Sequence, residues 1–350
     1  MASLTQSDII RLRLANQGLT RTTFRSAADI VSWFGAVQGQ EYPAASWALS
    51  LRAKGLTAAG VDRAFDEGAI LRTHVMRPTW HFVSPADIRW LLALTGPRVQ
   101  RTMASYYRKY GLDARVLGRT RAVMERALAG GVALTRAELS AALKRGRIAH
   151  DRVSLMFIML DAELEQVVCS GPRRGRMFTY MRLDERVPPA PALTRDEALT
   201  ELTRRYFAAH GPATLKDFVW WSGLTTGDAR TGIAALGRRL ATAVVDGLTY
   251  WWSPTTSVPP AEKGVLLLPV YDEYVIGYKE RGLILVAGDH VFANSLFVGG
   301  RLAGSWRRSP RDQQLQLAPL RPLTRVEKHV VGGEVERYSE FAGTPISIAT

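Results

Sequence analysis

Two glutamines separated by a single residue, Gln38 and Gln40, stand out for their chemistry. Residues two apart lie about 200° apart around a helix but on the same side of an extended chain. Gly39 disfavours a helix and Pro43 favours an extended conformation at Tyr42, so both glutamines can point into one cavity. Two neutral amides cannot remove a proton, but they can hold a water molecule by accepting its protons and donating to its oxygen. The alternative is that both side chains cap backbone groups, as glutamine pairs in loops usually do.

The charge of the chain indicates a polyanionic partner. The 350 residues include 46 Lys and Arg against 32 acids, and the net charge is +14. Residues 98–152 hold thirteen of the bases and four of the acids, a net charge of +9. Compositional bias is an alternative explanation, because 39 of the 46 bases are arginine. Such a bias explains why arginine is more frequent than lysine, but not why bases outnumber acids. We expect nucleic acid rather than a membrane as the partner, since no basic amphipathic anchor stands out.

Composition excludes several classes of protein. Hydrophobic residues make up 47% and charged residues 22% of the chain, which is typical of globular domains. A single cysteine, Cys169, excludes a disulfide framework, a cysteine-based zinc site and an iron–sulfur cluster. Asp8 and Arg11 stand where a signal peptide needs its apolar stretch, and apolar runs such as residues 265–270 fall short of the roughly 20 residues that span a bilayer. We expect a cytoplasmic protein that works at the nucleoid, without a cofactor, a metal or membrane contact.

A helical segment followed by a short hairpin recurs three times, which is the order of elements in a winged helix. The three hairpins are expected at residues 70–83, 167–180 and 244–252. The turn of the first is expected at residues 76–79, the second has a basic tip at residues 171–176, and the third has an Asp-Gly turn. Thr135 and Glu138 form a capping pair that predicts the start of a helix in the second unit.

The pattern becomes β-rich after the Pro259–Pro260 break. Strands are expected at residues 265–270, 282–286, 291–298 and 330–338. Residues 292–307 are expected to form a hairpin that probes a DNA groove, or else an ordinary meander. The four expected domains are a first winged-helix unit with a helical extension (1–130), a second (131–186), a third (193–255) and a β-rich C-terminal domain (261–350).

Three segments resemble one protein family: Gln38–Gly39–Gln40, residues 71–83 (Leu-Arg-Thr-His-Val-Met-Arg-Pro-Thr-Trp-His-Phe-Val) and residues 268–274 (Leu-Pro-Val-Tyr-Asp-Glu-Tyr). The family is the winged-helix DNA glycosylases, AlkZ-like and YcaQ-like, and the resemblance covers nearly the whole chain. It implies an α+β fold, in which three tandem winged-helix units and a β-rich C-terminal domain surround a basic concave DNA-binding surface. The family's catalytic motif is glutamine, an apolar residue, then glutamine in the AlkZ-like branch or aspartate in the YcaQ-like branch. Gln40 places this chain in the AlkZ-like branch, and Gly39 departs from the apolar middle position.

The resemblance implies that Gln38 and Gln40 catalyse the excision of N7-alkylated purines from double-stranded DNA, including bulky adducts left by genotoxic natural products. An N7-alkylated guanine is cationic, so its glycosidic bond is already weakened and the base leaves without being protonated. A well-positioned water can then capture the oxocarbenium-like C1′ without a strong base. A lyase needs an amine nucleophile, and the nearest lysine, Lys54, lies outside the motif. We expect a monomeric, monofunctional glycosylase that leaves an abasic site and serves alkylation repair or the self-resistance of a toxin producer.

Further site residues flank these motifs. The residues expected to contact DNA are His74, Arg77, Trp80 and His81 beside the lesion, and Arg173, Arg174 and Arg176 at the tip of the second hairpin. Trp80 can instead pack in the core, and we expect no metal at the two histidines because a third ligand is missing nearby. Asp272 and Tyr274 are expected to support a cationic sugar or base electrostatically. The alternative is that the carboxylates of Asp272 and Glu273 pair with Arg281 in a salt bridge.

Two other functions fit the same hairpins and charge. A non-catalytic winged-helix transcriptional regulator would bind one DNA sequence well above the nonspecific level at fixed salt. A protein-interaction scaffold is the third interpretation, and its affinity for DNA would not fall with added salt. The residues leave open which adduct is the substrate and whether its base is flipped fully out of the duplex.

Overall fold

The computed structural model describes residues 4–20, 24–254, 257–260, 264–285, 293–309 and 313–349. The helices are α1 (Gln6–Asn16), α2 (Ala27–Phe34), α3 (Tyr42–Ser50), α4 (Ala58–Asp66), α5 (Ile88–Lys109), α6 (Ala114–Ala127), α7 (Arg136–Arg145), α8 (Arg152–Leu164), α9 (Leu183–Arg186), α10 (Arg195–Ala209), α11 (Leu215–Ser222), α12 (Thr226–Leu236), α13 (Glu273–Ile276) and α14 (Arg325–Ala342). The strands are β1 (Val37–Gln38), β2 (Leu71–Val75), β3 (Arg77–Val83), β4 (Leu134–Thr135), β5 (Val168–Arg174), β6 (Met177–Arg182), β7 (Ala241–Val245), β8 (Leu248–Trp252), β9 (Val265–Leu268), β10 (Ser295–Val298), β11 (Arg301–Ser309), β12 (Gln314–Pro319) and β13 (Ser347–Ile348). The fold is thus α+β, and none of the helices in the described ranges is long and apolar enough to cross a bilayer.

Threonine caps determine where several helices begin. At α7 the Thr135 hydroxyl accepts the Glu138 N–H at 3.3 Å, and the Glu138 carboxylate accepts the Thr135 N–H at 2.7 Å. This reciprocal box satisfies two backbone donors that the first turn leaves without partners, and it confirms the predicted start. Thr324 and Glu327 form the same box at the start of α14.

Three small antiparallel sheets lie at the three predicted hairpin positions. They have the strand orders β1-β3-β2, β4-β6-β5 and β7-β8, and each follows a group of helices. The first turn is tighter than predicted: Arg77 already pairs with Val75, so the chain reverses at Met76, whose φ is 63°. The third turn has the positive φ angles at Asp246 and Gly247 that its Asp-Gly sequence predicts.

The C-terminal region is one five-stranded sheet, in the order β13-β12-β11-β10-β9, with α14 packed against β9. The predicted strand at residues 330–338 is wrong, because these residues lie inside α14. Residues 282–285 form a turn rather than a strand. β10 and β11 form a hairpin within an antiparallel meander, β9-β10-β11-β12, as the second alternative for residues 292–307 predicts. Val286, Val291 and Phe292 of those predictions lie outside the described residues.

A shared core joins the two ends of the chain. Ile10 of α1 and Trp47 of α3 pack in one buried cluster with Leu267 of β9. Arg52, just after α3, forms a buried ion pair with Asp272, at the start of α13, with both nitrogen–oxygen distances at 2.8 Å. The segment around the two glutamines is therefore fixed against residues 268–276.

Candidate active site

The first small sheet places Gln38 on one of its faces and ends just before Gln40. Gln38 lies opposite His81 across the β1–β3 ladder, and the Gly39 N–H extends that ladder by donating to the Trp80 carbonyl at 2.8 Å. Successive side chains of a strand alternate between its two faces. One side of the sheet, here called the glutamine face, consists of Gln38, Arg77, Thr79 and His81. The predicted extended conformation is confirmed at Gln38, which lies in β1, whereas Gln40 lies in a bend. The prediction for Tyr42 is wrong, because Tyr42 is the first residue of α3 and Pro43 is tolerated in the first turn of a helix.

The opposite side of the sheet, here called the tryptophan face, consists of Arg72, His74, Trp80 and Phe82. Its side chains contact one another: the His74 and Trp80 rings lie 4.4 Å apart, and the Arg72 guanidinium lies 4.4 Å from the centre of the Trp80 ring. The four residues predicted to contact DNA beside the lesion are therefore divided. Arg77 and His81 lie with Gln38, and His74 and Trp80 lie on the other face.

Gln38 is fixed by its backbone, and its side-chain oxygen is left without a partner. Its N–H donates to Glu273 Oε1 at 2.8 Å, and the residue is 7% exposed. Its Oε1 is buried and has no hydrogen-bond partner within the described residues. That oxygen is therefore an acceptor positioned on a rigid strand and able to bind a water molecule.

Gln40 is held differently. Its side-chain oxygen accepts the Trp80 N–H at 3.3 Å, so it caps a backbone group, as in the alternative interpretation. This bond keeps the side chain against the backbone of β3. Both amides lie beside β3, but their oxygens are not equally available.

Arg72 clamps the backbone between the glutamines. Its Nε donates to the Gly39 carbonyl at 2.8 Å and its Nη2 to the Gln40 carbonyl at 3.0 Å. A side chain at Gly39 would bring its Cβ within 3.2 Å of the Phe82 nitrogen, so β3 would have to shift. Glycine at this position therefore fits a close approach of two strands, and the clamp supplies the rigidity that glycine lacks.

Glu273 connects the glutamine segment to two distant helices. Its Oε1 accepts the Gln38 N–H, and its Oε2 accepts His210 Nε2–H at 3.0 Å and Trp221 Nε1–H at 2.9 Å. Burial alone would raise the pKa of this carboxyl, but the hydrogen bonds and the nearby Arg77 cation outweigh burial, so the pKa is lowered. Burial lowers the pKa of His210 in spite of its bond to Glu273. A carboxylate bonded to a neutral imidazole therefore lies directly behind Gln38.

Asp272 and Tyr274, the predicted electrostatic supports, have structural partners. The Asp272 carboxylate binds Arg52 and also accepts the Tyr274 N–H at 2.8 Å, so the salt-bridge interpretation is right for Asp272 but the predicted partner, Arg281, is wrong. The Tyr274 hydroxyl is buried and donates to the Gly300 carbonyl at 2.8 Å. Glu273, between them in sequence, is the carboxylate that reaches the glutamines.

His81 is neutral in this arrangement. It is 0% exposed, and its Nδ1 lies 2.9 Å from the Thr79 carbonyl, so Nδ1–H donates and Nε2 is left as an acceptor 3.4 Å from Arg77 Nη2. Burial, with a further contribution from Arg77, lowers the pKa of His81 to about 3. This placement favours support of Arg77 over direct contact with a phosphate.

His74 and Trp80 are organised by a buried carboxylate that the sequence did not indicate. Glu163 Oε2 lies 2.7 Å from both the backbone nitrogen and the Nδ1 of His74. Trp80 is partly buried between His74 and Arg72, as its core-packing alternative predicts. Glu163 and Arg72 therefore support the back of the sheet that carries the glutamines.

The basic tip of the second hairpin is only partly available for DNA. Arg173 pairs with Asp62 at 2.7 Å and with a second aspartate of α4 at 2.9 Å. Arg174 binds Glu138. Arg176 is exposed and forms no ion pair within the described residues. Of the three, Arg176 is the one free to meet a phosphate in this conformation.

Comparison with known proteins decides the family. A family model described as DNA glycosylase AlkZ-like matches residues 31–341. The chain belongs to the AlkZ-like DNA glycosylase family. The matched region includes both glutamines, residues 71–83 and residues 268–274, and family membership confirms the resemblance inferred from those segments.

Two matches to this AlkZ-like protein come from Streptomyces sahachiroi. One, an interstrand DNA cross-link repair glycosylase, is 27% identical over 372 aligned positions, which cover 96% of this chain and 97% of the relative. The other is the solved structure of the DNA glycosylase AlkZ, with a TM-score of 0.83, 22% identity and 99% of each chain covered. The second comparison shows a shared α+β fold along the whole chain.

Proposed function

We propose that this AlkZ-like protein is a monofunctional DNA glycosylase that hydrolyses the N-glycosidic bond of N7-alkylated purines in double-stranded DNA. Gln38 and Gln40 are its catalytic residues. The observation that carries the proposal is the side-chain oxygen of Gln38, which is buried on the glutamine face without a partner in the described chain. Leaving such an acceptor unpaired costs about 1–3 kcal/mol, and a bound water recovers that cost.

The reaction needs little from the protein. The C1′–N9 bond breaks, and its electron pair neutralises the positive charge of the alkylated purine. The oxygen of the held water forms the new bond to C1′, and its surplus proton passes to bulk solvent because neither amide can take it. Gln38 and Gln40 contribute position, and the Glu273 carboxylate behind them opposes the positive charge of the sugar. An undamaged purine is a poor leaving group, so the same site leaves it intact.

One feature supports hydrolysis without a lyase step, and another supports a bulky substrate. Lys54 is exposed beyond the end of α3, and the glutamine face contains no amine that could attack C1′. The name of the cross-link repair relative supports large alkyl adducts, since an interstrand cross-link joins two bases through a covalent bridge. The protein then acts as a monomer in alkylation repair or self-resistance, because one lesion requires no symmetry.

The three hairpin units are interpreted as winged helices that bind the duplex by shape. A regulator would need an exposed helix for the major groove. The helix before the first hairpin, α4, carries Asp62 and Asp66, and both bind Arg173. The helix before the second, α8, is buried along most of its length. These contacts argue against α4 and α8 as helices that read the major groove.

The test is excision of N7-methylguanine from a duplex, followed by alkaline cleavage of the abasic sites. We expect strand breaks with the wild-type protein. Gln38→Ala combined with Gln40→Ala should abolish them while the affinity for DNA stays within a few-fold. Gln6→Ala, at an exposed glutamine bonded to Asp246, is the matched control and should excise at the wild-type rate.

Two outcomes would contradict this function. One is the absence of strand breaks above the buffer control while a known glycosylase is active in parallel, and the other is equal activity of the double variant. A sharp binding site selected from random duplexes would instead support the regulator.

A further inference from the structure

Three buried polar atoms at the glutamine face have no hydrogen-bond partner in the described part of the chain. They are Gln38 Oε1, Thr79 Oγ1 and Arg77 Nε. Native interiors leave few polar groups unpaired, because each one lowers the stability of the fold. Three of them on one face of one small sheet indicate a binding pocket.

The backbone fixes where these groups lie. Arg77 and Thr79 are two residues apart on β3, about 7 Å along the strand, and Gln38 pairs with His81, the next residue on the same face. The Thr79 carbonyl accepts Nδ1–H of His81 at 2.9 Å. The pocket is therefore built on paired strands, which hold side chains more precisely than loops do.

Thr79 can supply a contact to the water that the already bonded Gln40 oxygen cannot fully supply. The Gln40 oxygen already accepts the Trp80 N–H, so this amide is only partly available to a water. A hydroxyl both donates and accepts, and the Thr79 side chain lies on the face that carries Gln38. It can therefore make the second contact that a single amide oxygen cannot make.

We infer that Gln38 Oε1 and Thr79 Oγ1 together bind the attacking water, and that Arg77 adds the positive charge for the phosphate beside the lesion. This assignment rests on the proposed glycosylase function. Thr79 is then a catalytic residue that fixes the direction of attack, and its hydroxyl contributes nothing to the stability of the free protein.

Thr79→Val tests the assignment, because valine keeps the shape and removes the hydroxyl. Single-turnover excision of N7-methylguanine should fall about tenfold or more, with the dissociation constant for DNA unchanged. The melting temperature should stay the same or rise, because no internal bond is lost. Thr79→Ser should restore excision.

Thr120→Val is the matched control, since the Thr120 hydroxyl is buried in α6 and donates to the Leu117 carbonyl at 2.7 Å. It should lower the melting temperature by a few degrees and leave the excision rate unchanged. Wild-type excision by Thr79→Val, alongside an inactive Gln38→Ala, would overturn the role of Thr79 and leave the proposed function standing. A lower melting temperature of Thr79→Val, or a serine variant as slow as the valine variant, would also overturn it. No excision by the wild type would overturn both.

Discussion

At the scale of single residues, burial determines which groups of the active site carry charge. His81 is enclosed, donates to the Thr79 carbonyl and lies against the Arg77 guanidinium, so its ring stays neutral. Glu273 stays ionised because it receives hydrogen bonds from Gln38, His210 and Trp221. The Arg77 cation of the glutamine face therefore lies near the Glu273 carboxylate, whose negative charge opposes the positive charge that develops on the sugar in the proposed reaction.

The neutral His81 makes stability depend on pH. Its pKa is about 3 in the folded chain against 6.5 in the unfolded chain. At a pH between these two values, His81 is protonated in the unfolded chain and neutral in the folded chain. The free energy of unfolding should fall as the pH drops from about 6.5 toward 3, by at most about 1.4 kcal/mol per pH unit from this residue. This pH dependence can be measured by urea unfolding of the wild type and of His81→Asn between pH 7 and pH 4.5.

The variant should lose less stability on acidification than the wild type, whatever its stability at pH 7. His329→Asn, at an exposed position of α14, is the matched control for the loss of one histidine. Equal pH dependence of His81→Asn and the wild type would contradict a buried, neutral His81.

At the scale of elements, the proposed active site consists of a two-residue strand and the clamp that prolongs it. β1 is too short to hold Gln40 by itself, and the ladder continues only because Gly39 donates to Trp80. The Arg72 guanidinium then binds both carbonyls beyond the strand end while packing on the Trp80 ring. Arg72 is accordingly a positioning residue.

Replacing Arg72 by lysine should remove the clamp while keeping the positive charge. A lysine keeps the cation but cannot offer the planar fork that reaches both carbonyls. We expect single-turnover excision to fall about tenfold or more, with a change in DNA affinity of no more than a few-fold. Arg195→Lys makes the same change in an exposed pair with Asp228 and should excise at the wild-type rate. Wild-type excision by Arg72→Lys would show that the clamp does not position the glutamines.

Local sequence signals predicted much of this arrangement, but they could not predict the long-range contacts. The hairpin at residues 70–83 and the Thr135 cap follow from alternation and capping, which depend on neighbours in sequence. Residues 330–338 contain β-branched side chains that favour a strand, yet the box of Thr324 and Glu327 starts a helix there. The bond from Gln38 to Glu273 joins residues 235 positions apart, and no local pattern marks the carboxylate that will be chosen.

At the scale of the whole molecule, the two ends of the chain enclose the catalytic segment and its middle carries the positive charge. The core shared by α1, α3 and the C-terminal sheet fixes residues 268–276 behind Gln38. Residues 98–152, with a net charge of +9, form α5, α6, α7 and the start of α8. We therefore propose that DNA binding and chemistry lie in different parts of the fold, and that they respond separately to mutation.

The cleft between α7 and α8 allows this separation to be tested. It has a volume of about 530 Å³ and is lined by Arg136, Lys144 and Arg152. If a phosphate binds there, Lys144→Gln should reduce the slope of log affinity against log salt by about 0.9, since one fewer counterion is released. The excision rate at saturating DNA should stay at the wild-type value, because the glutamine face is untouched. Lys328→Gln, exposed on α14 outside the basic region, is the matched control, and equal slopes for the two variants would place the duplex elsewhere.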